Sequence, residues 1–184
     1  MPGELTWYLT RVSGLVAWAL MMVAVLWGLL LVSRVLERRP SSVWLLDLHK
    51  HLSLLTVVLT AVHVGALWLD EFVEFRMVEI FIPLTSDYET TAVTLGVVAL
   101  WTLGVVEISA RMRGLLPQRV WRTLHMLSGP LVIMATLHAI MIGTDMGNPV
   151  VITVGMVLAA EVILVLVLRA CGGRRSVSVP STTG

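Results

Sequence analysis

Four of the five histidines occur as two pairs, each inside a long apolar stretch of the chain. His49 and His63 are fourteen residues apart, and His125 and His138 are thirteen residues apart. Imidazole nitrogens act as metal ligands, as acids and bases, and as hydrogen-bond partners. Because polar groups are costly within a bilayer, histidines at such depth need a partner that satisfies them. These two pairs are therefore the first candidates for a functional site.

The composition places these histidines in a membrane protein. Hydrophobic residues form 57% of the 184 residues, charged residues form 14%, and the mean hydropathy is +0.90. Ordinary soluble domains do not have this balance, and no sequence feature indicates a nucleic-acid partner. A helix needs roughly 20 apolar residues to cross a hydrocarbon core. The sequence predicts an all-α integral membrane bundle of about five transmembrane helices in lipid: Val12–Ser33, Trp44–Leu69, Thr90–Ala110, Val120–Ile142 and Val150–Leu168.

The charged residues of the connections predict the orientation of this bundle. Lys and Arg in short loops are retained on the cytoplasmic side of a membrane. Of the thirteen Lys and Arg residues, only Arg11 and Arg76 fall on the side opposite to the rest. We therefore expect the N-terminus outside and the C-terminus in the cytoplasm.

Short connections predict one transmembrane domain, over residues 5–170. The first span is too long for the core of a signal peptide, so we expect it to remain in the mature protein. Residues 172–184 are rich in Gly, Ser and Thr and are predicted to form a disordered cytoplasmic tail. Segment Glu71–Leu84 is apolar but interrupted by charge, which is typical of an interfacial helix. Cys171 is the only cysteine, which excludes an internal disulfide and a thiolate-built metal site.

The paired histidines lie at two matching depths if the second and fourth spans both run outward from the cytoplasm. A helix rises 1.5 Å and turns about 100° per residue, so His49 and His63 are about 21 Å apart and within about 40° of one face. The same rule places His125 and His138 about 20 Å apart but about 140° out of register. A Gly-Pro pair lies between them, and proline inside a helix kinks the axis. The ideal-helix angle therefore does not have to hold in the fourth span.

Two levels of facing imidazoles form two sites, each offering two axial nitrogen ligands to an iron porphyrin. Neutral imidazole binds iron well, and a haem between helices hides its apolar ring while its propionates reach the charged interface. The competing interpretation is a structural hydrogen bond across helices, which is usual for a single buried histidine. Zinc or copper is less favoured, since neither level offers a third ligand at an evident spacing.

The two histidine-containing spans resemble a known family. LHKHLSLLTVVLTAVH and WRTLHMLSGPLVIMATLH are similar to the haem-binding helices of the ferric reductase-like transmembrane domain. Ferric reductases, NADPH oxidases and the haem subunit of a bacterial methionine sulfoxide reductase system share this domain. The resemblance covers about residues 11–142 and implies two b-type haems, an inner one on His49 and His125 and an outer one on His63 and His138. It also implies a multi-pass protein of a cell membrane, expected to be a bacterial plasma membrane.

The resemblance implies an oxidoreductase that works with a separate electron donor. Larger members of the family usually have six helices and continue into a cytoplasmic flavin and NADPH domain. No G-x-G-x-x-G motif follows a strand here, so we expect that this chain alone binds neither FAD nor NADPH. The expected donor is a cytoplasmic flavin reductase or a quinol from the bilayer.

Three functions remain open at this point. The first is a two-haem protein that transfers electrons from the cytoplasmic side to an acceptor outside, such as ferric iron, oxygen or a partner reductase. The second is a quinol-linked haem subunit of a periplasmic oxidoreductase. The third is a membrane haem-binding sensor or transporter without redox turnover. Two axial histidines favour the first two, because six-coordinate iron has no open position.

Several other residues are candidates for supporting roles. Arg11, near the outer end of the first span, either pairs with a propionate of the outer haem or extends to water. His51 lies about 200° around its helix from the nearest proposed ligand and is expected to be a non-ligand. Glu107 is expected to pair with Arg111, and Glu161 is a candidate for proton transfer near a quinone. Basic residues that could contact the propionates of the inner haem are Lys50, Arg119 and Arg122.

Overall fold

The computed structural model describes residues 2–32, 42–70 and 75–172. Their regular secondary structure is helical, without any strand, and five segments are long and apolar enough to cross a membrane. The predicted all-α fold with five spans is confirmed, whereas the orientation of the termini stays a prediction. The tail predicted to be disordered lies outside the described residues from position 173 onward. The helices are α1 (Pro2–Val32), α2 (Ser42–Trp68), α3 (Met77–Phe81), α4 (Thr90–Arg111), α5 (Gln118–His125), α6 (Ser128–Ile142) and α7 (Pro149–Gly172).

Helix α1 begins ten residues before the predicted start of the first span. Proline is favoured at the first position of a helix, and an acidic side chain in the first turn interacts favourably with the helix dipole. Pro2 and Glu4 meet both conditions. The sequence had placed Arg11 near the outer end of the first span. In the structure Arg11 lies well inside α1.

The fourth span is interrupted between the two histidines that it contains. Helix α5 ends at His125, and α6 begins at Ser128, two residues before Pro130. The first N–H groups of a helix have no intrahelical acceptor, so a proline in the first turn costs no hydrogen bond. The sequence predicted a kink at the Gly-Pro pair, whereas the structure interrupts the helix at residues 126–127, just before that pair. The interruption removes the constraint that a single straight helix would place on His125 and His138.

Helix pairs rather than loops hold the bundle together. Helix α1 packs mainly against α2, α4 packs mainly against α6, and α1 also contacts α6 and α7. The Trp18 indole N–H donates to the Thr136 hydroxyl at 3.0 Å, which joins α1 to α6. Most other large apolar side chains are exposed, as a surface in contact with lipid requires. The buried centre contains Met21, Ala99, Leu103 and Leu131.

The segment predicted as an interfacial helix contains a much shorter helix in its described part. Helix α3 has only five residues. Its end follows from Pro83, since the residue before a proline is pushed out of the helical region, and Ile82 is indeed extended. The Glu79 carboxylate accepts hydrogen bonds from the backbone N–H and from the guanidinium of Arg76. These bonds, mainly the one from the backbone, hold the pKa of Glu79 below its ordinary value. Helix α3 contacts α2 and α4.

Candidate functional site: two imidazole pairs

The structure brings four histidines together as two pairs across the bundle. His49 of α2 lies against His125 of α5, with ring centroids 6.1 Å apart and ring planes at 75°. His63 of α2 lies against His138 of α6, with centroids 6.5 Å apart and planes at 82°. We name these the inner pair (His49 and His125) and the outer pair (His63 and His138). The matching depths had predicted the same two pairs of histidines.

Both separations fit one metal ion between two ring nitrogens. A ring nitrogen lies about 1.1 Å from the centroid of its imidazole, and metal–imidazole bonds are about 2.0–2.1 Å long, so opposed axial imidazoles have centroids about 6.3 Å apart. The observed 6.1 and 6.5 Å lie on either side of that value. The described residues include no group of three or more His, Cys, Asp or Glu that could hold an ion. A metal at either pair would have to bring further ligands of its own, as the iron of a haem does.

Three of the four rings are oriented by backbone carbonyl groups of a neighbouring helix. A carbonyl oxygen can only accept, so the ring Nδ1 must hold the proton and donate it. The neutral ring then has its lone pair on Nε2, which is the tautomer that metal-binding histidines adopt when they donate to a carbonyl group. The three bonds run from His49 to Ala24 at 3.0 Å, from His63 to Thr10 at 2.8 Å and from His138 to Ala92 at 2.7 Å.

A glycine lies one helical turn after each of these three carbonyl groups and leaves room for the ring. A Cβ atom built on any of them would come within 2.7–3.2 Å of a ring atom, closer than ordinary contact. The ring and the backbone of the neighbouring helix can therefore approach each other only because the side chain is absent. The contacts are Gly14 with His63, Gly28 with His49 and Gly96 with His138.

Three buried side-chain polar atoms lack a hydrogen-bond partner within the described part of the chain, and all three belong to the histidine sites. They are Thr10 Oγ1, Trp121 Nε1 and His125 Nδ1. Thr10 lines a cavity beside the outer pair, and the Trp121 indole stacks on His125 with centroids 5.3 Å apart. An unsatisfied buried polar group costs about 1–3 kcal/mol. Their concentration here fits sites that hold a group supplying further polar atoms.

The outer pair lines a cavity of about 300 Å³ whose walls come mainly from α1, α2, α4 and α6, with further residues from α3 and the segment after α6. Arg11 and Asp145 also line it. The Arg11 guanidinium forms an ion pair with Asp145, with Nε 3.0 Å from Oδ2, and lies 3.9 Å from the centre of the Trp7 ring. Arg11 thus lies in the wall of the cavity beside the outer pair, with a carboxylate partner that the sequence did not predict. A contact between Arg11 and a haem propionate stays a prediction.

The other candidates near the inner pair are engaged elsewhere or exposed. Lys50 pairs with Asp47 at 3.1 Å, and the His51 ring bonds to the Asp47 carbonyl group of its own helix at 2.7 Å. His51 is exposed, and its role as a non-ligand stays a prediction. Arg119 and Arg122 are also exposed.

The two acidic residues inside spans have different surroundings. Glu107 forms the expected ion pair with Arg111 at 2.6 Å, which confirms that prediction. Glu161 lies on the exposed face of α7, and its proposed role in proton transfer stays a prediction.

Sequence reasoning did not identify the glycines or Trp121. The sequence contains one feature that could have identified two of the glycines: Gly14 and Gly28 are fourteen residues apart, the same spacing as His49 and His63. Trp121 had one as well, since it precedes His125 by four residues and so lies on the same helix face.

Comparison with known proteins identifies one family. A family model described as ferric reductase like transmembrane component matches residues 13–136, more than half of the chain. The matched region contains the inner pair and His63 and ends two residues before His138. No curated protein and no solved structure gave a significant match.

Proposed function

Because the chain belongs to the ferric reductase-like transmembrane family, we propose that it binds two b-type haems and transfers electrons across a membrane. The family indicates an oxidoreductase of the membrane electron-transfer type. The proposed direction is from a donor on the cytoplasmic side to an acceptor outside, such as ferric iron, oxygen or a partner reductase. The proposed donor is a separate cytoplasmic flavin reductase.

The observation that supports this proposal most strongly is the spacing of the two imidazole pairs. The ring centroids are 6.1 and 6.5 Å apart, within about 0.2 Å of the separation expected for two imidazoles that would ligate one metal ion. Edge-to-face ring pairs also pack at centroid separations of about 4.5–7 Å, so it is the spacing together with the carbonyl-held Nδ1 groups of three rings that favours metal ligands. The haem irons would supply reversible one-electron chemistry at two depths of the membrane.

The residues of this chain have the task of holding each imidazole in place. Carbonyl groups of α1 and α4 fix the Nδ1 tautomer of three rings, and the facing glycines let those rings sit close to the neighbouring helix. Ligands held in this way lose little freedom on binding, which strengthens binding without any additional contact.

A second candidate is the quinol-linked haem subunit of an exported oxidoreductase. It is favoured by an apolar groove of about 570 Å³ between α2 and α4, beneath α3. The Glu107–Arg111 ion pair lines this groove together with apolar side chains. The groove also shares Thr60, Leu100 and Leu103 with the outer cavity.

Oriented vesicles separate the two candidates. A membrane-impermeant reductant presented at the cytoplasmic face is expected to reduce ferricyanide held on the opposite side. His49→Ala should abolish this transfer, whereas His51→Ala, two positions away on an exposed face, should not. Full transfer by His49→Ala would contradict the proposal. A requirement for added quinone in the wild-type protein would favour the second candidate instead.

A further inference from the structure

The indole N–H of Trp121 has no hydrogen-bond acceptor within the described residues, whereas the indole N–H groups of Trp18, Trp27 and Trp101 each have one. Indole nitrogen donates and cannot accept. Trp18 donates to a threonine hydroxyl, and Trp27 and Trp101 donate to carbonyl groups, all at 2.9–3.0 Å. The Trp121 nitrogen is buried and has no acceptor within the described residues. Its missing partner must therefore be an acceptor.

The surroundings of this indole favour an acceptor with negative charge. The guanidinium of Arg113 lies 4.4 Å from the centre of the Trp121 ring. Within the described residues Arg113 makes no ion pair, and the carboxylate of Glu107 is held by Arg111. An unsatisfied donor beside an uncompensated cation is a site for a carboxylate or a similar anion.

The position of this site relates it to the inner pair. The Trp121 and His125 rings are stacked at 17°, with centroids 5.3 Å apart, so the unsatisfied indole adjoins a proposed axial ligand. A haem has two propionate carboxylates at its edge, and these are the only anionic groups that it would introduce here. We propose that the Trp121 N–H and the Arg113 guanidinium bind one propionate of the inner haem. This inference rests on the proposed function.

The assignment differs from what the basic residues alone suggest. Lys50 is paired with Asp47. Arg113, Arg119 and Arg122 are all exposed, but the guanidinium of Arg113 lies 4.4 Å from the centre of the Trp121 ring. Trp121 and Arg113 together provide a buried directional donor and a charge. A propionate held by both would orient the porphyrin relative to the axial ligands.

A cycle of two proteins and two ligands tests this assignment. The first protein is the His63→Ala chain, which keeps only the inner site, and the second is the same chain with Trp121→Phe added. Each is loaded with haem or with haem dimethyl ester. Loss of the bound group to excess apomyoglobin is then timed. Phenylalanine keeps an aromatic ring beside His125 but removes the N–H. Because the lost hydrogen bond has a charged acceptor, Trp121→Phe should release haem about 10- to 100-fold faster. The dimethyl ester has no negative charge but keeps carbonyl oxygens that accept a neutral hydrogen bond, so Trp121→Phe should accelerate its release less, about 2- to 10-fold.

Two further variants complete the design. Arg113→Gln should show the same selectivity for haem over the ester. Trp101→Phe is the matched control, because its N–H already donates to the Phe81 carbonyl group, and it should change neither rate. Equal acceleration for haem and ester in Trp121→Phe would indicate a purely structural tryptophan and overturn the assignment. A wild-type chain that binds neither ligand would overturn the proposed function itself, which is a distinct result.

Discussion

Gly96→Ala tests whether the glycines are needed for the histidines to bind haem. The added Cβ would lie 2.8 Å from both Cε1 and Nδ1 of His138, whereas ordinary contact begins near 3.4 Å. The ring would have to retreat by about 0.6 Å, and overpacking of this kind costs about 1–3 kcal/mol. The same movement would strain the bond from His138 to the Ala92 carbonyl group. We expect the affinity for the outer haem to fall about 5- to 150-fold.

The matched control is Gly104→Ala on the same helix, where a Cβ would meet nothing within 4 Å. Alanine is a better helix former than glycine by about 1 kcal/mol, so neither substitution should weaken α4 itself. Haem content and redox titration of both proteins measure the result. Gly96→Ala should bind the outer haem about 5- to 150-fold more weakly and keep the inner component unchanged, and Gly104→Ala should bind both haems as the wild-type protein does. Unchanged outer-haem affinity in Gly96→Ala would refute the proposed steric role of this glycine.

Three further predictions follow from the same geometry. Gly28→Ala should lower the affinity for the inner haem less than Gly14→Ala lowers the affinity for the outer haem. The added Cβ would lie 3.2 Å from the nearest atom of His49 in the first variant and 2.7 Å from the nearest atom of His63 in the second. Haem titration of each variant measures the two affinities, and the reverse order would contradict the steric argument. Nearly perpendicular ring planes should give highly anisotropic low-spin ferric signals in electron paramagnetic resonance, and purely rhombic signals would contradict this geometry. Removing the positive charge with Arg11→Gln should lower the midpoint potential of the outer haem, and Asp145→Asn should raise it, by on the order of tens of millivolts. Shifts of the same sign in both would contradict that electrostatic role.

The sequence predicted the parts of this protein that depend on periodicity and composition. The five spans follow from runs of apolar residues, and the interruption of the fourth span follows from the chemistry of proline. The two depths follow from spacings of fourteen and thirteen residues. Each of these depends on residues close together in the chain, where helix geometry converts spacing into position.

The parts that the sequence did not predict depend on contacts between distant helices. The acceptors of the histidine Nδ1 groups are backbone carbonyls, which every residue possesses, so side-chain identity does not mark them. The ion pair between Arg11 and Asp145 spans 134 positions and requires the relative placement of α1 and the segment after α6. The early start of α1 was missed because its first turns contain polar residues, although Pro2 and Glu4 favour a helix there.

The number of haems bound by each chain tests the central proposal most directly. A pyridine haemochrome assay on the purified protein should give two b-type haems per chain, held without covalent attachment because the chain lacks C-x-x-C-H. His63→Ala should give one, and His51→Ala should give two. A folded wild-type chain with one haem or none, or a folded His63→Ala chain that still binds two, would contradict the assignment of the two imidazole pairs as haem ligands.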